Sequence, residues 1–256
     1  MKKIMLVAAH PDDELLGSAG TLLLFKKKGY KIKIIFLSDG ESSREVGKKK
    51  LYKLINKRKK QAIKISKLCK FEEPMFAEFP DNRLDTVPIL KIIKFIENEI
   101  RKFKPKILIT HNENDLNIDH KLAFKAVITA TRPSTKTFIQ SIYCFETPSS
   151  TENNFSRLKV NFNPNLYFDI SKFLNKKIKL LKIYKDEIKK YPHSRSLEGI
   201  KVLAKYDVSV KGKLFDTMLA HYLINPDMRH NIDVLSETYL NYTPVSIVEI
   251  IGKKGK

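Results

Sequence analysis

Apolar residues in this chain gather in short runs, and between those runs they recur every three to four positions. The runs at 4–9, 31–37, 74–79, 106–110 and 139–145 predict strands, because each is four to eight residues long and bounded by turn residues. The stretches between them predict helices over 15–28, 48–67, 87–103 and 119–131. Gly29 closes the first helix, while Gly17 and Gly20 leave room for close packing. Pro88 suits the start of the third, and Arg132-Pro133 ends the fourth. Further along, 166–170 reads as another strand, 173–191 as a long helix, and 197–206 and 214–223 as shorter ones. The weakly alternating 245–251 fits an edge strand or a contact in a homo-oligomer. Strand and helix in turn imply an α/β fold, a Rossmann-like three-layer sandwich whose mostly parallel sheet is covered on both sides.

The 256 residues suit one main domain, expected over 1–224, with a C-terminal extension at 225–256 packed on it. Met1-Lys-Lys before an apolar run resembles a signal peptide. That run is short and leads into His-Pro-Asp-Asp, so it reads as the first strand instead. No segment reaches membrane-spanning length. Cys69 and Cys144 lack the paired spacing of a zinc or redox motif and read as reduced core thiols, which fits a cytoplasmic protein. A formal net charge of +21 favours polyanions. The lysines are spread along the whole chain and no nucleic-acid-binding signature accompanies them, so the sequence gives no reason to expect a nucleic-acid partner.

Chemistry is concentrated where two strands end. After the first comes Ala8-Ala-His10-Pro-Asp12-Asp13-Glu14, and after the fourth His111-Asn-Glu-Asn-Asp115-Leu-Asn117-Ile-Asp119-His120. Either stretch by itself could be a capped helix start with acids matched to the dipole. Together they offer His10, Asp13 and His120 to one metal ion, with Asp12 free as a base. That is the three-ligand pattern of a zinc hydrolase. The first strand-to-helix turn is not glycine-rich, which argues against a dinucleotide enzyme.

These two motifs resemble those of the LmbE-like, or PIG-L, family of zinc-dependent N-acetylglucosaminyl deacetylases. Ser-Asp39-Gly40-Glu41, Arg58, Pro80-Asp81-Asn82-Arg83, Ala-Thr-Arg132-Pro133 and Tyr191-Pro-His193-Ser-Arg195-Ser196 resemble family positions in family order, over roughly the first 220 residues. The resemblance implies one Zn²⁺ per chain on His10, Asp13 and His120, Asp12 as general base, and an N-acetylated sugar or glycoconjugate as substrate; the +21 charge adds the expectation that this substrate or its carrier is anionic. The resemblance also points to Arg58, Asp81, Arg132, Arg195, Asn117 and His111 as substrate-side residues. Many relatives carry histidine at the position of Asn117, and an amide cannot donate a titrating proton. The proton for the departing amine would then come from Asp12 itself or from His193. Glu14 reads as a first-turn acid or a sugar contact. The rival classes are a non-catalytic sugar- or metal-binding protein and a basic polyanion-binding protein.

Overall fold

The computed structural model describes residues 2–132, 139–153 and 162–208, all within the unit Met1–Ser209. Five strands form one parallel sheet in the order β3-β2-β1-β4-β5. They are β1 (Lys3–Ala8), β2 (Lys31–Ser38), β3 (Met75–Phe79), β4 (Ile107–His111) and β5 (Ser141–Phe145). In the register, Ile4 lies opposite Ile32 on one side and Ile107 on the other.

β1 is the central strand, which explains its unbroken apolar run. Ile4, Leu6 and Ala8 join the core on one face of the sheet, and Met5, Val7 and Ala9 join the core on the other. Alternate side chains point to opposite faces, and a strand covered on both needs apolar residues at every position. The first face is covered by α1 (Ala19–Lys27), α2 (Lys48–Cys69), α5 (Leu174–Leu181) and α6 (Leu197–Val208), which contribute Leu22, Ile65, Leu181 and Ile200. The second lies under α3 (Ile89–Phe103) and α4 (Ile118–Ala130), through Ile92, Ile96, Ala123 and Val127.

The chain runs outward from β1 to β2 and β3, then returns to set β4 on the other side of β1. Loops leaving the carboxyl ends of β1 and β4 therefore part in opposite directions and open a crevice, the usual ligand site of an open α/β sheet. Both polar motifs sit there.

Three expectations are corrected. Residues 166–170 do not pair with the sheet. Ile170 packs on α1 instead, so close to Gly20 that a Cβ at that glycine would lie 2.5 Å from Ile170 Cδ1. The helix expected over 173–191 ends at Leu181 and gives way to a 3-10 turn at Lys182–Tyr184. That break turns Tyr184 and Glu187 towards the crevice, where they bond to Glu14 and Arg58. Cys69 is buried, but Cys144 is exposed, because β5 is an edge strand of incompletely covered pattern. The helix at 214–223, the segment at 245–251 and the boundary near residue 225 lie outside the described residues. Among those described, no helix is long and apolar enough to cross a membrane.

Candidate metal centre and catalytic cleft

The loop after β1 is held in an uncommon conformation. Asp12 has φ 151°, a region that few L residues adopt. Its carbonyl accepts from Leu15 and Leu16 N–H at 2.9 Å each, and a π-helical turn at Glu14–Ser18 leads into α1. The Asp12 N–H donates to Glu14 Oε2, and Tyr184 donates its hydroxyl to Glu14 Oε1, both at 2.9 Å. Glu14 is therefore neither a dipole match at an exposed helix start nor a sugar contact. It is a buried brace for Asp12. Burial, followed by the charge of Asp12, pushes its carboxyl up to about 8. A second loop supports the turn from outside, since Gly40 has φ 71° and a Cβ there would come within 2.9 Å of Pro11 Cδ.

The loop after β4 braces itself. Asn112 Oδ1 accepts from Asn114 N–H, Asp115 Oδ1 from Asn117 N–H, and Asn117 Oδ1 from Asp119 N–H. These are successive Asx turns, and the last is the N-cap of α4. His120 follows in the first turn.

Folding brings the two loops onto one point. His10 Nδ1 lies 3.3 Å from Asp13 Oδ2, His120 Nε2 lies 3.4 Å from the same oxygen, and the two histidine nitrogens are 3.3 Å apart. Buried Asp13 Oδ1 has no hydrogen-bond partner among the described residues. A buried carboxylate oxygen without a donor is costly unless a cation faces it. Burial works against ionisation of Asp13, but His120 and His111 outweigh it and hold the carboxyl well below its usual range. The three residues could hold a metal ion.

Both histidines of this cluster have acids behind them, the arrangement that orients metal-binding imidazoles. His10 Nε2 lies 3.2 Å from both Asp119 Oδ2 and Asp81 Oδ1, and His120 Nδ1 lies 3.1 Å from Asp115 Oδ1. Asp119 is fixed by Leu84 N–H at 3.0 Å, and Asp115 accepts from the Ser150 and Thr151 hydroxyls. Burial opposes ionisation of Asp115, but bonds from His120, Ser150 and Thr151 overcome it and bring its carboxyl down to about 2. Beneath the centre, His111 stacks on His120 with ring centroids 3.9 Å apart. Its Nε2 accepts the Ala9 N–H at 2.9 Å and sits 3.3 Å from Asp13 Oδ2. Burial, and then the charge of His120, lower its pKa to about 4, so His111 is a neutral strut between β1 and β4.

Asp12 borders the open side. Burial, and after it the charge of Asp13, raise its pKa to about 6 against the pull of Arg195 and Arg58. Arg195 Nη1 lies 3.6 Å from Asp12 Oδ2, and its Nε donates to Pro148 O at 3.1 Å. Arg58 is buried, donating to Glu41, to Glu187 and to Pro11 O. The cleft over these groups has a volume of about 180 Å³ and is lined by His10, Asp12, Arg44, Arg58, Asp81, Asn117, His120, Glu187 and Arg195, with Pro11, Gly40, Ser43 and Asn82. A larger cavity of about 450 Å³ lies between α1, β5 and α6, but it holds none of the cluster's histidines or aspartates.

Of the residues singled out in sequence, His10, Asp12, Arg58, Asp81, Asn117, His120 and Arg195 line this cleft, with Asp13 buried against His10 and His120 at its floor. Three others do not line it. His111 is fully buried below it. Arg132 is exposed beyond the far end of α4, about 18 Å along the helix from His120. His193 is exposed and its Nδ1 accepts the Arg195 N–H at 3.0 Å, while the start of α6 is capped by Ser196, which accepts from Gly199 N–H at 2.9 Å. Sequence reasoning left Asp115 and Asp119 without a role, although the need of each ligand histidine for a carboxylate was a usable signal. Glu41 lay in the Ser-Asp39-Gly40-Glu41 stretch but was given no role, and Tyr184 and Glu187 had no local signal.

The PIG-L family, described as GlcNAc-PI de-N-acetylase, matches residues 5–131. Among solved structures, a conserved protein from Thermus thermophilus is similar at 20% identity and a TM-score of 0.64, over 83% of this chain and 90% of that one. The N,N'-diacetylchitobiose deacetylase from Pyrococcus horikoshii matches at 17% identity and a TM-score of 0.64, covering 82% and 80%. The 4-carboxy-2-hydroxymuconate hydratase from Pseudomonas putida matches at 21% and 0.58, covering 91% and 92%.

Proposed function

This chain belongs to the PIG-L (LmbE-like) family, and on that premise we propose that it is a zinc-dependent amidase that removes the N-acetyl group from an amino sugar or sugar conjugate. The observation that carries the reading is the triangle of His10 Nδ1, Asp13 Oδ2 and His120 Nε2, with sides of 3.3 to 3.4 Å and Asp12 beside it. Tetrahedral bonds of about 2.0–2.1 Å put neighbouring ligand atoms about 3.4 Å apart, and two imidazoles with one carboxylate are a common donor set of catalytic zinc. Bound there, zinc would polarise the amide carbonyl and lower the pKa of a coordinated water to about 7.

The remaining work falls to the chain. Asp12 takes a proton from the attacking water and returns it to the departing nitrogen, acting as base and then acid. The position of His193, exposed and engaged with the Arg195 backbone, favours this over a histidine donor. Arg195 keeps Asp12 ionised and in place, and Asp81 and Asn117 on the cleft wall face the sugar. The 180 Å³ cleft is smaller than the roughly 300 Å³ or more of sites that enclose a whole ligand, which suits a site that takes in the acetamido end and leaves the rest outside.

Because a fold does not fix a reaction, and a hydratase shares this one, the decisive measurement is acetate release. The zinc-loaded protein should liberate acetate from at least one of N-acetylglucosamine, N,N'-diacetylchitobiose and UDP-N-acetylglucosamine. Asp12→Asn should keep the metal and lose about 10²- to 10⁴-fold in rate, while His193→Ala stays near the parent. Absence of acetate from all three would remove the reading. A loss of about a hundredfold in His193→Ala with zinc retained would move the acid role to that histidine.

A further inference from the structure

The helix α2 carries nine lysines and Arg58 in 22 residues and no acid. Six of those lysines, Lys49, Lys53, Lys57, Lys60, Lys64 and Lys67, are spaced 4, 4, 3, 4 and 3 apart and are all exposed. At 100° per residue that spacing puts them on one stripe, about 27 Å long at 1.5 Å per residue. Among the described residues only Lys57 of the six has a carboxylate partner, Asp186. Like charges at i and i+4 weaken a helix, so the stripe works against the element that carries it. Lysine-rich composition does not account for it, because α3 in the same chain pairs three of its four cations with carboxylates. There Glu97 meets Lys94 and Arg101, and Glu99 meets Lys102 and, from β2, Lys33.

Two further observations narrow the partner. Tyr52 and Leu68, 70% and 52% exposed, flank the stripe on its two sides. Beside it, between α2 and the turn after α5, runs a shallow groove lined by Tyr52, Lys53, Lys57, Lys60, Lys64 and Lys182. The only arginine of α2 points the other way, into the cleft.

We propose that this outer ridge of α2 is a docking surface for an anionic lipid bilayer. Lysines near such a surface attract anionic head groups, and a tyrosine and a leucine beside them sit at the depth where amphipathic and apolar side chains gain from the interface. A nucleic-acid backbone would use the lysines but has no use for an exposed leucine, and the ridge offers no arginine for base edges. The inference does not depend on the deacetylase reading, since the ridge shares no side chain with the metal centre.

The test is co-sedimentation of the full chain with vesicles of phosphatidylcholine alone or mixed with phosphatidylglycerol. The parent should bind only the mixed vesicles, and less as salt rises. Lys49→Glu, Lys53→Glu, Lys60→Glu and Lys64→Glu combined should weaken that binding at least about tenfold and leave zinc content unchanged. A control with the same net charge, Lys27→Glu, Lys125→Glu, Lys172→Glu and Lys179→Glu, should bind as the parent does. Equal losses in both variants would show that net charge governs binding and overturn the ridge, as would failure of the parent to bind anionic vesicles. Duplex DNA measured alongside gives a third outcome. If the ridge variant loses DNA and keeps vesicles, the partner is nucleic acid and the proposal is wrong.

Discussion

The two loops that build the centre reach the same point by opposite means. The loop after β4 is organised by its own side chains, Asn112, Asp115 and Asn117, each closing a turn within three residues. The loop after β1 places Asp12 at φ 151° and is held by groups from far along the chain: Gly40 against Pro11, Arg58 on Pro11 O, and Tyr184 through Glu14. His120, which follows the self-braced turn, tolerates small errors of aim once a cation fixes it, whereas His10 and Asp13 share the externally held loop with Asp12. A base that must reach a water and then an amine needs its direction set from outside, and strain at Asp12 is the sign of that constraint.

The largest effect should come from removing what the loops share. His10→Ala and His120→Ala should each abolish stoichiometric zinc as measured by elemental analysis, because each removes one of three ligands; full occupancy in either variant would refute the ligand set. Next comes pH. Burial raises Asp12 above the usual carboxylate range and its ionised form is lost as pH falls, so the rate should drop on the acid side. Arg195→Ala removes a cation that lowers that pKa and should move the midpoint upward. A midpoint that stays put would disconnect Arg195 from Asp12. The smallest effects separate the loops. Asn117→Ala removes a helix cap and a side chain on the cleft wall; it should cost stability by about 1 kcal/mol, read as a lower melting temperature, and raise KM with kcat little changed. Tyr184→Phe should lower kcat several-fold at unchanged KM and metal content, since it frees Glu14 and through it Asp12. If Asn117→Ala has the larger kcat effect, the contrast drawn between the loops is wrong.

This division also decides what could be read from sequence. Five apolar runs gave all five strands, because a parallel sheet buried on both faces leaves a continuous signal. The residues of the candidate metal cluster were legible because they follow two of those strands at short range. The long helix over 173–191 was misjudged for the reason that Tyr184 and Glu187 went unnoticed. Its periodicity is helical, but buried bonds to Glu14 and Arg58 hold the chain in a turn instead, and nothing within ten residues announces them. His111 was placed on the substrate side with the other positions of the family resemblance, and the 2.9 Å bond from Ala9 N–H shows it to be a strut. Arg132 sat in a matching motif, yet α4 carries it away from the cleft.

The order of the sheet has a consequence for the newly made chain. His10 and Asp13 are synthesised early, but His120 is 110 residues away and Arg195 lies beyond all of them in sequence. Until β4 docks beside β1, a nascent chain offers only the His10 and Asp13 side of the cluster and no enclosure. At about 5–20 residues per second, translation leaves an interval of several seconds or more between the first half of the centre and the second. Assembly of the candidate metal site is thereby deferred until the inner strands are in place.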